Sequence, residues 1–358
     1  MSILITSEAI RTKTISQLYA EAEHERVVLW CDPSCGYRGI IAIHSTALGP
    51  AVGGTRLWNY TCEKTASVDA LRLSKAMSYK NALAGLPFGG GKAVIITNCD
   101  DADREQLFRA HGRFVDSLGG KFITAEDIGT RPSDMQVVSK ETAWVAGLPG
   151  RSGDPSPMTA LGVFRSMQAC AMHRWGSSDL SNKTIAIQGC GATGYNLAKN
   201  LFNAKAKLIV SDVDQDRLQR VVNDFGARAV AANDIYSVSA DIFAPCAFGG
   251  VINHQTIEQL KAEIVVGSAN NQLLGDVDGE LLAQREILYA PDCVANSGGM
   301  INGCRELLGW DADLAKQRVD DIYNRMLSIL ELAHEEKQPP YKTAERLAQR
   351  LIKQATTH

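Results

Sequence analysis

The sequence contains no apolar run close to the ~20 residues that a bilayer-spanning helix needs, and its start lacks the charged residues and continuous apolar stretch of a secretory leader. These absences set aside membrane insertion and export. Blocks of like charge are missing as well. The 37 basic and 40 acidic residues are interspersed and leave a formal net charge of -3, which offers no electrostatic footprint for nucleic acid or an anionic membrane. The 9 cysteines are an odd number and, apart from Cys31 and Cys35, stand far apart, so neither a disulfide framework nor a zinc-binding pair is visible. Reduced thiols acting as small hydrophobes, no metal site and a cytoplasmic location are the expectation. Internal repeats and low-complexity segments are also lacking.

What is present, 45% hydrophobic and 22% charged residues over 358 positions, fits an ordinary globular chain long enough for two domains. Small-molecule chemistry is the class left standing. Residues 1–24 have helix-compatible spacing, and 26–31 and 37–44 read as strands joined by a turn-rich segment, plausibly an antiparallel pair. A helix is expected over 63–84, then a glycine loop ending at Lys92, then a strand formed by Ala93-Val-Ile-Ile96. Helices over 101–118 and 131–146 flank a short strand, Lys121-Phe-Ile-Thr-Ala-Glu-Asp127.

A Gly/Pro/Ser stretch at 147–157 marks a linker. Beyond it a helix over about 158–174 precedes short β-rich runs spaced by helical segments, the alternation of a doubly wound parallel sheet. Three segments follow: an α/β substrate-binding and catalytic domain at 1–147, a Rossmann dinucleotide-binding domain at 148–325, and a charged helical tail at 326–358 that packs back on the first domain.

The strand run Ile185-Ala-Ile-Gln188 leads directly into Gly189-Cys-Gly191-Ala192-Thr193-Gly194 and then a helix. In that context the glycines serve a tight turn, close approach of backbone to a pyrophosphate, and close packing of helix on strand, with the phosphates at the helix N-terminus. A second strand ends in Asp212, at the distance expected of an acid that meets the ribose hydroxyls. Asp212 and Asp214 would repel a 2′-phosphate, so NAD is expected rather than NADP. The competing reading is that Asp212 only caps the following turn.

Lys80, near a helix end, and Lys92, after three glycines, are the candidate chemical groups of the first domain. A partly desolvated lysine crowded by a second cation is pushed toward the neutral amine, which suits a general base. Taken singly, either lysine would more often be a solvated surface residue.

The chain resembles the glutamate, leucine, phenylalanine and valine dehydrogenase family, most nearly its leucine and phenylalanine members. The resemblance rests on Gly49-Pro-Ala-Val52-Gly53-Gly54-Thr-Arg56, Met77-Ser-Tyr-Lys80, Gly89-Gly-Gly-Lys92, Thr124-Ala-Glu-Asp127, Ser156-Pro-Met-Thr159, Ala244-Pro-Cys246-Ala247, Gly267-Ser-Ala-Asn270-Asn271-Gln and Asn296-Ser-Gly-Gly-Met300-Ile-Asn. It implies that Lys80 holds the substrate carboxylate, Lys92 activates water, and Asp127 exchanges protons with the substrate amino group. It also implies that Thr159, Cys246, Ala247 and Asn270 contact the cofactor, and that Val52, Gly53, Met77, Asn271, Met300 and Gly303 contact the substrate. The implied activity is oxidative deamination of an L-amino acid by a homo-oligomer.

The family's glutamate enzymes carry a lysine immediately before the Gly-Gly pair, where this chain has Val52. A distal carboxylate would stay unpaired there, so the substrate side chain is expected to be apolar. Met300 and Gly303 stand where branched-chain enzymes typically carry two valines, which leaves leucine, valine, phenylalanine and tryptophan as candidates. Two other classes compete. A non-catalytic dinucleotide-binding protein would have no need of Lys80, Lys92 and Asp127 together. A 2-hydroxy-acid dehydrogenase would need a histidine beside a carboxylate, and His44, His111, His173 and His254 show no such setting.

Overall fold

The structure, a computed structural model, describes residues 13–97, 103–148 and 150–356. It divides into two units, 1–153 with 348–358 and 154–347. Among the described residues no helix is long and apolar enough to cross a membrane.

The first unit contains strands β1 (Arg26–Asp32), β2 (Tyr37–Ser45), β3 (Ala51–Trp58), β4 (Gly89–Ile96) and β5 (Phe122–Glu126) in one sheet of order β1-β2-β4-β3-β5. β1 and β4 pair antiparallel with β2, whereas β3 runs parallel to both β4 and β5. The helices are α1 (Ile15–Glu21), α2 (Glu63–Leu83), α3 (Arg104–Asp116) and α4 (Pro132–Val138). Strand alternation sorts the side chains between two cores. Ile41, Ile43, Ala93 and Ile95 meet Phe108 and Phe114 of α3, while Ile40, Ala42, Val94 and Ile96 meet Ala66, Ala70 and Leu71 of α2. Lys92 shares the α2 side with Val94 and Ile96.

The second unit has six strands, β6 (Thr184–Gln188), β7 (Lys207–Ser211), β8 (Arg228–Ala229), β9 (Ile242–Pro245), β10 (Ile264–Val265) and β11 (Leu288–Tyr289). They form an all-parallel sheet of order β11-β10-β9-β6-β7-β8, the doubly wound arrangement whose order reverses between β6 and β9. The helices used below are α5 (Ser156–Trp175), α6 (Ala192–Asn203), α7 (Gln215–Phe225) and α11 (Gly298–Leu308); between α7 and α11 come α8 (His254–Gln259), α9 (Asp276–Gln284) and α10 (Asp292–Ala295).

Several elements differ from the sequence reading. Gly89, Gly90 and Gly91 belong to β4 rather than to a loop before it, and β3 is a full strand although two glycines interrupt its apolar pattern. The helix expected over 131–146 stops at Val138, because the following chain turns back to pair with β5: Thr124 N–H donates to Trp144 O (3.0 Å) and Ala146 N–H to Thr124 O (2.8 Å). The short edge strand β8 has no distinct apolar run to announce it. From residue 312 the chain forms three helices, α12 (Ala312–Asp320), α13 (Ile322–Glu336) and α14 (Pro340–Thr356), of which the end of α13 and α14 fall in the tail expected at 326–358. The expected helix over 1–24 is described only from Ile15 to Glu21, and residues 101–102 of the helix expected at 101–118 lie outside the described residues.

Candidate active site

In the first unit, the glycines of β4 are demanded by close packing. A Cβ at Gly90 would land on the backbone and hydroxyl of Ser78 in α2, and one at Gly91 would lie 2.6 Å from the Phe122 ring. Asn81 of α2 donates its side-chain amide to Gly89 O at 2.5 Å. The last turns of α2, which carry Met77 and a half-buried Lys80, are thereby pinned to the strand that carries Lys92.

Lys92 is only 4% exposed, and its Nζ lies 2.9 Å from Asp127 Oδ2. Asp127 follows β5 and reaches this position because Gly54 of β3 has no side chain: a Cβ there would stand 2.8 Å from the Asp127 Cβ. Arg56, also on β3, donates from Nε to the same Oδ2 at 2.8 Å and from Nη1 to Asp69 Oδ2 at 2.9 Å. The Tyr60 hydroxyl donates to Asp69 Oδ2 at 2.6 Å. Two cations and two carboxylates thus share a largely dry site.

The electrostatics follow from that crowding. Burial alone would raise the Asp127 carboxyl, but Lys92 and Arg56 outweigh it and hold the group at about 2. Lys92 is pushed below its ordinary value, first by burial; Asp127 opposes this, Arg56 adds to it, and Asp69 opposes it more weakly. Asp127 is therefore an anion throughout the working range, and Lys92 is displaced toward the neutral amine.

Val52 is 6% exposed in β3, paired with Gly90 and Ile123, so no charged group occupies the position before Gly53. Gly53 brings β3 against β4, since a Cβ there would fall on the Gly91 carbonyl. Behind Arg56, on the α3 side of the sheet, runs a buried polar chain. The Tyr37 hydroxyl meets His111 Nδ1 at 2.8 Å, His111 Nε2 meets Thr55 Oγ1 at 2.7 Å, and Thr55 Oγ1 meets Thr124 Oγ1 at 2.5 Å. Burial lowers the His111 pKa to about 3, so the ring is neutral.

In the second unit the glycine loop lies where the strand order reverses. Gly189 has φ +101°, and a Cβ on it would stand 2.9 Å from that of Ala247, which follows β9. Cys246 N–H donates to Gln188 O at 2.7 Å, locking the two strand ends together. A Cβ at Gly194 would strike the Gly189 carbonyl oxygen, whereas one at Gly191 would meet nothing within 4 Å. Gly191 caps α6 and, having no side chain, makes no cap hydrogen bond to the first turn, which starts with Ala192 and Thr193. An uncapped helix start beneath an open glycine loop fits a dinucleotide pyrophosphate.

Asp212 Oδ2 accepts from Cys190 N–H at 2.6 Å and its Oδ1 from Asp214 N–H at 2.8 Å. The cap of α7 is Asp214, which accepts from the N–H groups of Asp216 and Arg217. Asp212 instead braces the glycine loop from the end of β7.

Asn270 and Asn271 sit in a loop interlocked with Gly249 and Gly250. Gly250 N–H donates to Asn271 O at 2.7 Å, and Asn271 adopts φ +51°. Asn296 Nδ2 donates to Asn270 Oδ1 at 2.9 Å, and the buried Gln272 donates to Gly267 O and Ala269 O. On α5, Thr159 packs against Gly299 of α11. Met300 and Gly303 stand one turn apart on α11, and a Cβ at Gly303 would meet nothing within 4 Å.

The expected residues thus gather in separate places: Lys92 with Asp127, beside the strand and helix that carry Val52, Gly53, Met77 and Lys80, and Gly189 through Gly194 with Asp212, Cys246 and Ala247. Thr159, Met300 and Gly303 form a third group. The sequence alone does not single out Arg56, Asp69, Tyr60 and Asn296 as site residues, although Arg56 and Asn296 each belong to a motif that carries the resemblance. A basic residue inside an otherwise apolar strand was the available signal for Arg56. Among the described residues no cluster of three or more His, Cys, Asp or Glu side chains is placed to hold a metal ion.

Comparison with known proteins places two family models on the chain. The one described as Glu/Leu/Phe/Val dehydrogenase, dimerisation domain, matches 24–144, and that of the Glutamate/Leucine/Phenylalanine/Valine dehydrogenases matches 211–358. Leucine dehydrogenase of Bacillus subtilis (strain 168) is 48% identical over 92% of each chain. L-tryptophan dehydrogenase of Nostoc punctiforme is 45% identical over 92% of this chain and 93% of its own. The crystal structure of L-tryptophan dehydrogenase from Nostoc punctiforme superposes with a TM-score of 0.86 at 42% identity, covering 96% of this chain and 100% of that one.

Proposed function

Since the chain belongs to the glutamate, leucine, phenylalanine and valine dehydrogenase family, and so is an amino-acid dehydrogenase using a pyridine nucleotide, we propose that it oxidatively deaminates an apolar L-amino acid to the 2-oxo acid and ammonia, with NAD as cofactor. The observation that carries this reading is the buried Lys92 held 2.9 Å from an ionised Asp127 beside the apolar Val52. In this reading the segment 1–147 binds substrate, 148–325 binds NAD, and 326–358 is a helical tail. NAD would be held by Gly189, Gly191, Ala192, Thr193, Gly194, Asp212, Cys246 and Ala247, with Thr159 and Asn270 toward its nicotinamide end. Bound there, it supplies the hydride acceptor.

The protein's own groups do the rest. Lys80 pairs with the substrate carboxylate and Asp127 with its ammonium, which fixes the zwitterion by its two charges. Held at about 2, Asp127 keeps little hold on a proton, so the proton it exchanges with the substrate amino group leaves to solvent, and Lys92, displaced toward the neutral amine, stays able to accept one. Lys92 then takes a proton from the water that attacks the substrate's iminium carbon. Val52, Gly53, Met77, Asn271, Met300 and Gly303 shape the site around an apolar side chain. A distal carboxylate beside Val52 would have no cation to meet.

A second reading, specificity for aromatic side chains, is favoured by the open space over Gly303. The relatives' named activities, on leucine and on tryptophan, support an apolar side chain of either kind. A homo-oligomer is supported by the family model's dimerisation domain, and a cytoplasmic location by the scattered cysteines. A panel of leucine, valine, phenylalanine, tryptophan and glutamate with NAD and with NADP, read by reduced-cofactor absorbance and ammonia release, tests the proposal. Turnover of the apolar amino acids with NAD is expected; preferential use of glutamate, or reduced cofactor without ammonia, would overturn it.

A further inference from the structure

We propose that Arg56 and Asp69 form a positioning pair that sets the ionisation of Lys92, Arg56 acting through the shared oxygen of Asp127 and Asp69 serving as its counter-charge. The proposal rests on the reading of Lys92 as the base. The planar guanidinium spans two carboxylates, Nε to Asp127 Oδ2 at 2.8 Å and Nη1 to Asp69 Oδ2 at 2.9 Å. Lys92 Nζ lies 2.9 Å from that same Asp127 oxygen. Among the described residues, no group donates to Oδ1 of Asp127. Arg56 thus turns the carboxylate so that one oxygen faces the protein's cations and the other remains for the substrate ammonium. Arg56 is itself held by Asp69, which Tyr60 fixes through a 2.6 Å hydrogen bond.

The charges make the pair more than a brace. With Lys92 protonated, two cations face two anions and the cluster is neutral; loss of the Lys92 proton leaves one negative charge in excess. Arg56 and Asp69 side chains are only 12% and 8% exposed, so water and salt screen the cluster weakly. The two members therefore push Lys92 in opposite directions, Arg56 toward the neutral amine and Asp69 toward the ammonium. The groups facing Lys92 are Arg56 from β3, Asp127 after β5 and Asp69 from α2, with Tyr60 behind Asp69. Lys80 also rides on α2, and His44 of β2 is bonded to Ser78 of α2.

The test compares Arg56→Met, Arg56→Lys and Asp69→Asn with the parent protein. Circular dichroism follows the fold, and two pH profiles are measured: kcat/KM for the best amino acid, and the acetylation rate of Lys92 by acetic anhydride, read by mass spectrometry without substrate or cofactor. Arg56→Met should move the Lys92 ionisation to higher pH by about one unit and Asp69→Asn to lower pH by a similar amount. Arg56→Lys keeps the charge but cannot reach both carboxylates with one planar fork, so its profile should stay near the parent's while KM for the amino acid rises several-fold. Should Arg56→Met fail to fold, a shift to lower pH in Asp69→Asn beside an unmoved profile in Arg56→Lys still decides, and an unmoved profile in Asp69→Asn would overturn the proposal. Coincident acetylation profiles in the folded variants, or shifts of the same sign for Arg56→Met and Asp69→Asn, would overturn the proposal. Opposed acetylation shifts with an unmoved kcat/KM profile would uphold the pair and discard Lys92 as the base instead.

Discussion

The two units solve the problem of building a site in opposite ways. In the first, the working parts are side chains: Lys92, Asp127, Arg56 and Asp69 are charged, nearly dry and bonded to one another at 2.8 to 2.9 Å. In the second, the proposed working part is the backbone of a glycine loop, packed closely at Gly189 and Gly194 and open at Gly191, with Asp212 as a brace. Glycines serve both, but differently. In β4 they let α2 settle on the strand beneath Lys92; in the loop after β6 Gly189 and Gly194 permit close packing, and only Gly191 leaves the open space proposed for a pyrophosphate. A charge-removing substitution should therefore disable the first unit while sparing its fold, whereas an added methyl group should disable the second.

The largest expected effect is that of Lys92→Met. Loss of a general base should lower kcat roughly 10²-fold or more while NAD affinity and the circular dichroism spectrum persist. In the parent protein the rate should rise with pH as the amine deprotonates, with its midpoint below the ordinary lysine value of about 10.4, because burial lowers Lys92. A folded Lys92→Met protein with near-normal kcat would end the contrast between the units.

Gly194→Val is the matching break in the second unit. Its side chain would strike the Gly189 carbonyl, so the loop must open, at a cost of about 1–3 kcal/mol in stability and at least tenfold in NAD affinity by titration calorimetry. Gly191→Ala meets nothing, so its melting temperature should hold while NAD affinity falls. Equal behaviour of the two variants would contradict the separate roles assigned to these glycines.

A third expectation sharpens the comparison through pH. His111 of the first unit has a folded pKa of about 3, against about 6.5 unfolded, so it is a base whose native pKa is lowered. The unfolded chain gains a proton as pH falls below about 6.5 and the folded one does not, so stability is lost between about 6.5 and 3. Urea unfolding at pH 7 and pH 4.5 should show a loss of about 2–3 kcal/mol in the first unit, and His111→Gln should flatten it. An equally steep acid loss in His111→Gln would assign the effect to other groups.

The smallest effect is expected of Asp212→Asn. The bonds to Cys190 N–H and Asp214 N–H can persist through the amide oxygen on only one side, and the negative charge that opposes a 2′-phosphate is gone. Preference for NAD over NADP should fall about tenfold, read as the ratio of dissociation constants. An unchanged ratio would leave Asp212 as a brace alone.

Local patterns in the sequence carried the second unit further than the first. Its parallel strands are short apolar runs followed by helices, and the order Gly189, Gly191, Gly194, then Asp212, is written contiguously because backbone turn chemistry is local. Strand β3 goes unassigned and the glycines of β4 read as loop because glycine lowers strand propensity wherever packing does not demand it. The demand comes from Ser78, Phe122 and Asp127, which lie far away in sequence. The helix expected through 146 yielded for the same reason, to pairing with Thr124. Lys80, Lys92 and Asp127 could be named as residue types from the motifs around them. Only the tertiary structure put Arg56 between Asp69 and Asp127, because a buried ion-pair cluster is defined by distances between three strands and a helix, and no spacing along the chain encodes them.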